Sequence, residues 1–166
     1  MILTPTFVTR PAFSVAGYSA RITNHAQIHA LWQRFIPYMD VFTPIRTEPN
    51  TSYGMMRHFD PATRQFDYLA GVAVNHPVAL PVGYDVWHIP LQEYATFPYT
   101  LGTITTTFEL IYTQWVRVSP YYVCDGVRFE YYDADFMGQP DSPMSLYLPI
   151  RKTNAHVDGD ASPPLQ

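Results

Sequence analysis

The chain has 166 residues and a mass of 19.0 kDa, which fits one domain with a sizeable core. Nine arginines and one lysine stand against 14 acidic residues, a net charge of −4, so the clustered basic patch of a nucleic-acid binder is missing and direct nucleic-acid binding is not expected. A hydrophobic content of 47% argues against bulk disorder, and the single cysteine, Cys124, rules out an internal disulfide or a thiolate metal site. Taken in chain order, residues 1–4 read as frayed, and Thr6 to Thr23 is β-rich with breaks at Pro11 and Gly17. Asn24 caps a helix whose Ile28, Leu31, Trp32 and Phe35 recur at helical spacing, and Pro37 ends it. Residues 40–51 read as a loop, Tyr53–Phe59 and Phe66–Asn75 as strands around an Asp-Pro-Ala-Thr-Arg turn, and 76–83 as a crossover.

Asp85–Phe97 is extended, with Pro90 marking an edge or a bulge. Thr100–Val118 is a second helix, capped at Thr103, with Phe108, Ile111, Tyr112 and Trp115 on one stripe. Val127–Tyr132 and Met144–Ile150 are strands. Residues 152–166 are a tail disordered by composition, which leaves residues 1–151 as the domain. No apolar run reaches the ~18–20 residues a bilayer span needs, and the N-terminus lacks a signal-peptide pattern. A cytoplasmic protein with no membrane association is expected.

The two halves repeat one order: strand, helix, strand, turn, strand, over about 5–75 and 84–151. The expected fold class is therefore α+β. Tandem strand–helix–strand–strand units would form one antiparallel sheet with two helices on one face and a groove between them.

With the halves placed, several stretches carry a resemblance. They are Ala12-Phe13-Ser14-Val15-Ala16-Gly17-Tyr18, Leu31-Trp32-Gln33-Arg34-Phe35 and Phe66 through Val74. Further on come Ile89-Pro90, Tyr94-Ala95-Thr96-Phe97, Trp115, Phe129-Glu130-Tyr131-Tyr132 and Leu148-Pro149-Ile150. In order and spacing the chain resembles the GyrI-like small-molecule-binding domain, also the effector-binding domain of AraC/Rob-type and MerR-type multidrug regulators. The resemblance implies a cleft for hydrophobic, often cationic compounds with an acidic residue, matching Glu130, at its floor. The sequence departs from those regulators in showing no helix-turn-helix segment at either end, so a direct transcription-factor role is not expected unless a partner supplies DNA binding.

Glu130 is also conspicuous by itself. It interrupts the strand-forming run Val-Arg-Phe-Glu-Tyr-Tyr, and period two puts Arg128, Glu130 and Tyr132 on one face. A carboxylate among rings favours an arriving cation, which the ring faces also attract. The plain alternative is that Glu130 pairs with Arg128 or faces solvent. Candidate groove walls are Tyr53, Met55, Tyr68, Trp87, Tyr94, Phe97, Tyr112 and Trp115, whereas Trp32 and Phe35 are assigned to the core. His25 and His29, four apart on one helix, have no third ligand placed beside them, so no metal and no cofactor is expected. The expected function is binding of a hydrophobic, cationic small molecule, for sequestration or effector sensing. Two alternatives stand beside it: a hydrolase using Glu130 as base or nucleophile, and a gyrase- or protein-directed module with a protein partner or a homo-oligomer.

Overall fold

The computed structural model describes residues 3–75, 80 and 82–153; most of the expected crossover and of the expected C-terminal tail lies outside the described residues. Thr6–Arg10 (β1) and Phe13–Ile22 (β2) are two parts of one extended segment interrupted at Pro11, which has no N–H to give a ladder. Gly17 does not break it. Gly17 pairs with Gly71, and a Cβ on Gly17 would fall 1.9 Å from the Ala70 carbonyl oxygen. The glycine allows two backbones to approach closely, where the sequence suggested a stop. Asp85–Ile89 (β5) and Gln92–Thr100 (β6) are likewise one segment bent at Pro90.

These two bent segments pair in a single register. Thr6↔Thr96 through Arg10↔Gln92 continues, past both breaks, as Phe13↔Ile89 through Gly17↔Asp85. The remaining strands are Ser52–Arg57 (β3), Phe66–Val74 (β4), Tyr121–Val123 (β7), Arg128–Tyr132 (β8) and Pro143–Lys152 (β9). The order is β1-β6-β9-β8-β3-β4-β2-β5, with β7 on β9. Both terminal strands of that order continue a penultimate strand at the opposite end, so the sheet rolls towards closure. Lys152, expected in the tail, pairs with Tyr121 at the end of β9.

The helices close one face. Ala26–Phe35 (α1) starts where Asn24 Oδ1 accepts the Ala26 N–H at 2.9 Å, while the Gln27 side chain accepts the N–H groups of Thr23 and Asn24. Leu31 and Phe35 are buried, each worth roughly 1.5–3 kcal/mol in area removed from water. Pro37 does not stop the chain from coiling. The α-helix ends at Phe35, beside it as expected, and Pro37 sits in the first turn of the 3-10 segment, Ile36–Phe42, that follows. The second helix is three helical geometries in series. A 3-10 turn, Leu101–Thr103, is capped reciprocally by Thr100 and Thr103 and leads into Ile104–Leu110 (α2). A π-helical turn, Ile111–Trp115, and a last turn, Val116–Val118 (α3), follow. Poor propensity in the Thr105–Thr107 run is offset by burial of Thr107, Ile111 and Trp115.

Period-two alternation sorts the core. On the helix face, α1 covers Ala16, Tyr68, Ala70 and Val72, and the second helix covers Phe97, Tyr99, Leu146 and Leu148. On the other face, Val15, Tyr53, Met55, Trp87, Tyr94 and Phe129 form one cluster, although they come from strands up to six places apart in the pairing order. Rolling of the sheet brings them together. The repeated units meet at β3 and β8, where Gly54 lies opposite Glu130. The duplicated α+β architecture with both helices on one face is the one expected from sequence.

Candidate functional site

The strand period carries Arg128, Glu130 and Tyr132 of β8 onto the helix face, at the seam between the repeats. The Tyr132 hydroxyl donates to the Glu130 carboxylate. Tyr68 of β4 is fully buried beside it, and the Trp32 indole N–H from α1 donates to the Tyr68 hydroxyl at 2.8 Å. Both tyrosine hydroxyls occupy the space above Gly54. A Cβ there would lie 2.1 Å from the Tyr68 oxygen and 3.4 Å from that of Tyr132. The missing side chain opposite Glu130 is what lets the hydroxyls converge.

Tyr99 of β6 completes the group. It is 7% exposed, and its buried hydroxyl has no hydrogen-bond partner among the described residues. Further rings pack on Tyr132: Trp32 meets it edge-on at 5.4 Å between centroids, and Phe136 lies 4.7 Å from it.

Glu130 keeps some solvent contact but is enclosed by protein. Desolvation raises its carboxyl pKa above the ordinary carboxylate range, against the Tyr132 hydrogen bond, which lowers it. Burial pushes the Tyr68, Tyr99 and Tyr132 phenols upward too, with the Glu130 charge adding to each. These phenols therefore stay protonated as donors. No ion pair to Glu130 exists among the described residues, and Arg128, the expected alternative partner, instead donates to the Tyr112 hydroxyl at 2.7 Å. The arrangement is an enclosed carboxylate, ringed by aromatic side chains and protonated hydroxyls, that lacks a counter-cation among the described residues.

The nine residues expected at one groove divide between two faces. Tyr68, Phe97, Tyr112 and Trp115 share the helix side with Glu130. Of these, Phe97 and Trp115 are packed edge-to-face at 5.1 Å under the second helix, and Tyr112 is 40% exposed at its rim. Tyr53, Met55, Trp87 and Tyr94 lie on the opposite face. There Tyr53 donates to Glu48 at 2.6 Å and accepts from Arg10 at 3.0 Å, and the Arg57 guanidinium covers the Trp87 ring at 3.9 Å. A depression of about 300 Å³ on that side is lined by Ser19, Arg21, Arg57, Asp67, Asp85 and Trp87, with Arg21 and Asp67 paired at 3.1 Å.

Trp32, Tyr99 and Phe136 beside Glu130 were not picked out from sequence. Trp32 lies on the same helical stripe as Leu31 and Phe35, so spacing assigned it to the core. The one signal that could have separated it was its indole N–H, which needs a partner when buried.

Residues 6–150 match the family model described as Cass2, integron-associated effector binding protein. The transcriptional regulator BrlR of Pseudomonas aeruginosa is 35% identical over 149 residues, covering 86% of this chain and 54% of BrlR. The chain thus spans about half the length of that curated relative. Among solved structures, SAV2435 bound to tetraphenylphosphonium superposes with a TM-score of 0.71 at 14% identity, over 90% of this chain and 94% of that one. The EcmrR C-terminal domain gives 0.69 at 15% identity, over 92% and 100%, and an integron cassette protein of Vibrio cholerae 0.61 at 19%, over 89% and 95%. At these identities the superpositions speak to fold, and the fold is the GyrI-like one that the sequence resembled.

Proposed function

The chain belongs to the integron-associated effector-binding family, and from that premise we propose that it binds a hydrophobic cation at Glu130, as a sequestering or sensing module. The observation that carries this reading is a carboxylate enclosed by Trp32, Tyr68, Tyr99 and Tyr132 with no cation paired to it among the described residues. An arriving cation offsets the desolvation of Glu130, and each ring face adds ~0.5–2 kcal/mol of attraction in a dry site. A lipophilic ligand also buries its own apolar surface against the rings. The rings touch one another, so a ligand enters by parting Trp32 and Phe136 from Tyr132. That SAV2435 has been seen with tetraphenylphosphonium supports the choice of probe. Transcriptional control, the role named for BrlR, would follow if ligand occupancy were relayed to a DNA-binding element.

The test is a tryptophan-fluorescence titration with tetraphenylphosphonium and a neutral tetraphenyl analogue, on wild type and Glu130→Gln. Expected is quenching by the cation that weakens about 10- to 100-fold in the variant, the scale of ~1.5–3 kcal/mol for a charged partner. The neutral analogue should be indifferent to the substitution. Equal binding of cation and neutral compound by wild type would overturn the reading.

A further inference from the structure

We propose that Tyr112 is a positioning residue that holds the Arg128 guanidinium away from Glu130, keeping the carboxylate free for a ligand cation. The inference rests on the reading of the groove given above.

Arg128 and Glu130 project from the same face of β8, two residues apart, a separation of roughly 6.6 Å along a strand. An arginine side chain readily covers that distance, and two opposite charges so placed would ordinarily pair. They do not. Arg128 Nη1 donates to the Tyr112 hydroxyl at 2.7 Å, and neither Arg128 nor Glu130 takes part in an ion pair among the described residues.

Tyr112 belongs to the π-helical turn Ile111–Trp115, in which Ile111 and Trp115 are buried and Tyr112 stands at the rim, 40% exposed. A π turn is a local departure from α geometry that recurs at functional sites. Here its two buried residues anchor the phenol that Arg128 binds.

The opposite face shows an arginine of the chain seated among rings, held there by its hydrogen bond to Tyr53. Arg10 lies 4.2 Å from the centre of the Phe13 ring and within 6 Å of the centres of Tyr53, Phe129 and Tyr147. That aromatic box is already filled from within the chain. Arg128 turned onto Glu130 would fill the helix-side groove in the same way and shut out an exogenous cation. The groups facing Glu130 are the Tyr68, Tyr99 and Tyr132 phenols, all protonated, so Arg128 is the cation whose position matters.

The test compares wild type, Tyr112→Phe and the double variant Tyr112→Phe with Arg128→Gln. The first readout is the ligand-free titration of the Glu130 carboxyl by ¹³C NMR, in protein labelled at its four glutamates and assigned with Glu130→Gln. The second is affinity for tetraphenylphosphonium. In Tyr112→Phe the Glu130 midpoint should fall by about one unit as Arg128 pairs with it, and cation affinity should fall about fivefold. The double variant should restore both. A Glu130 midpoint unmoved in Tyr112→Phe would overturn the proposal, because a purely structural hydrogen bond predicts that result. A fall that Arg128→Gln does not reverse would overturn it equally. The titration uses no ligand, so it still judges Tyr112 if wild type binds no cation; in that case the binding reading alone fails.

Discussion

The two faces of this sheet solve one electrostatic problem in opposite ways. Away from the helices, Phe13, Tyr53, Phe129 and Tyr147 enclose the Arg10 guanidinium, whose hydrogen bond to Tyr53 is relayed to Glu48. Cation, rings and carboxylate all come from the chain. On the helix side the rings and the carboxylate are present, and the neighbouring arginine is turned to Tyr112. A completed box contributes to stability, whereas an incomplete one costs stability and gives affinity instead. The difference between them is the placement of one guanidinium.

The comparison can be broken most severely on the completed side. Arg10→Ala removes a charge-assisted hydrogen bond and several ring contacts, and should lower stability by about 2–4 kcal/mol in a urea melt. Its mirror is Glu130→Gln, which should leave stability unchanged or raise it by up to ~1 kcal/mol, because a desolvated charge has gone while the Tyr132 donor keeps an acceptor. If both substitutions destabilised equally, the two clusters would not differ in kind.

Gly54→Ala probes the seam between them. Its methyl would meet the buried Tyr68 hydroxyl, so a loss of about 1–3 kcal/mol is expected together with weaker cation binding. Retained binding would show that the convergent hydroxyls are dispensable.

pH sharpens the contrast further. The folded-state pKa of Glu130 lies above its unfolded value, so the neutral form is favoured on folding. The associated stability is present at low pH and is lost as pH rises from the ordinary carboxylate range through the raised value. Affinity for a permanent cation should move the other way, rising over the same window as the carboxylate ionises and levelling off above it. A pH series of tetraphenylphosphonium titrations checks this, with Glu130→Gln as the flat control. The smallest effect expected is that of Tyr99→Phe. Deleting a buried hydroxyl without a partner should be neutral or stabilising by at most about 1 kcal/mol, read from thermal melts.

Much of this was legible in the residues. The repeated order of elements led to the duplicated sheet, and a carboxylate among strand formers singled out Glu130, whose role is the one proposed above. Which aromatics accompany it was not legible, for a physical reason. Alternation assigns residues of one strand to two faces, but both faces of this sheet carry buried apolar clusters, so no wholly polar side fixed the phase of one strand against the next. Tyr53 and Met55 thus looked as eligible as Tyr68, until the β3–β8 pairing put Gly54, between them, opposite Glu130. Proline marked the end of α1 beside Pro37, but the chain coils on as a 3-10 segment to Phe42, where the residues from 40 onward read as a loop. Glycine was over-read as a break at Gly17, where burial against Gly71 was the constraint.

The pairing order also bears on how the chain reaches its native state. β9, the last of the described strands in chain order, hydrogen-bonds to β6, β7 and β8 and so lies inside the sheet. During synthesis β6 and β8 must wait with exposed ladder edges until residues 143–152 have left the ribosome. Contacts of that sequence separation form slowly, and open edges invite pairing with other nascent chains. Translation pauses or truncations that delay β9 should therefore appear as aggregation rather than as a folded half, because the first repeat alone has no strand to complete its own roll.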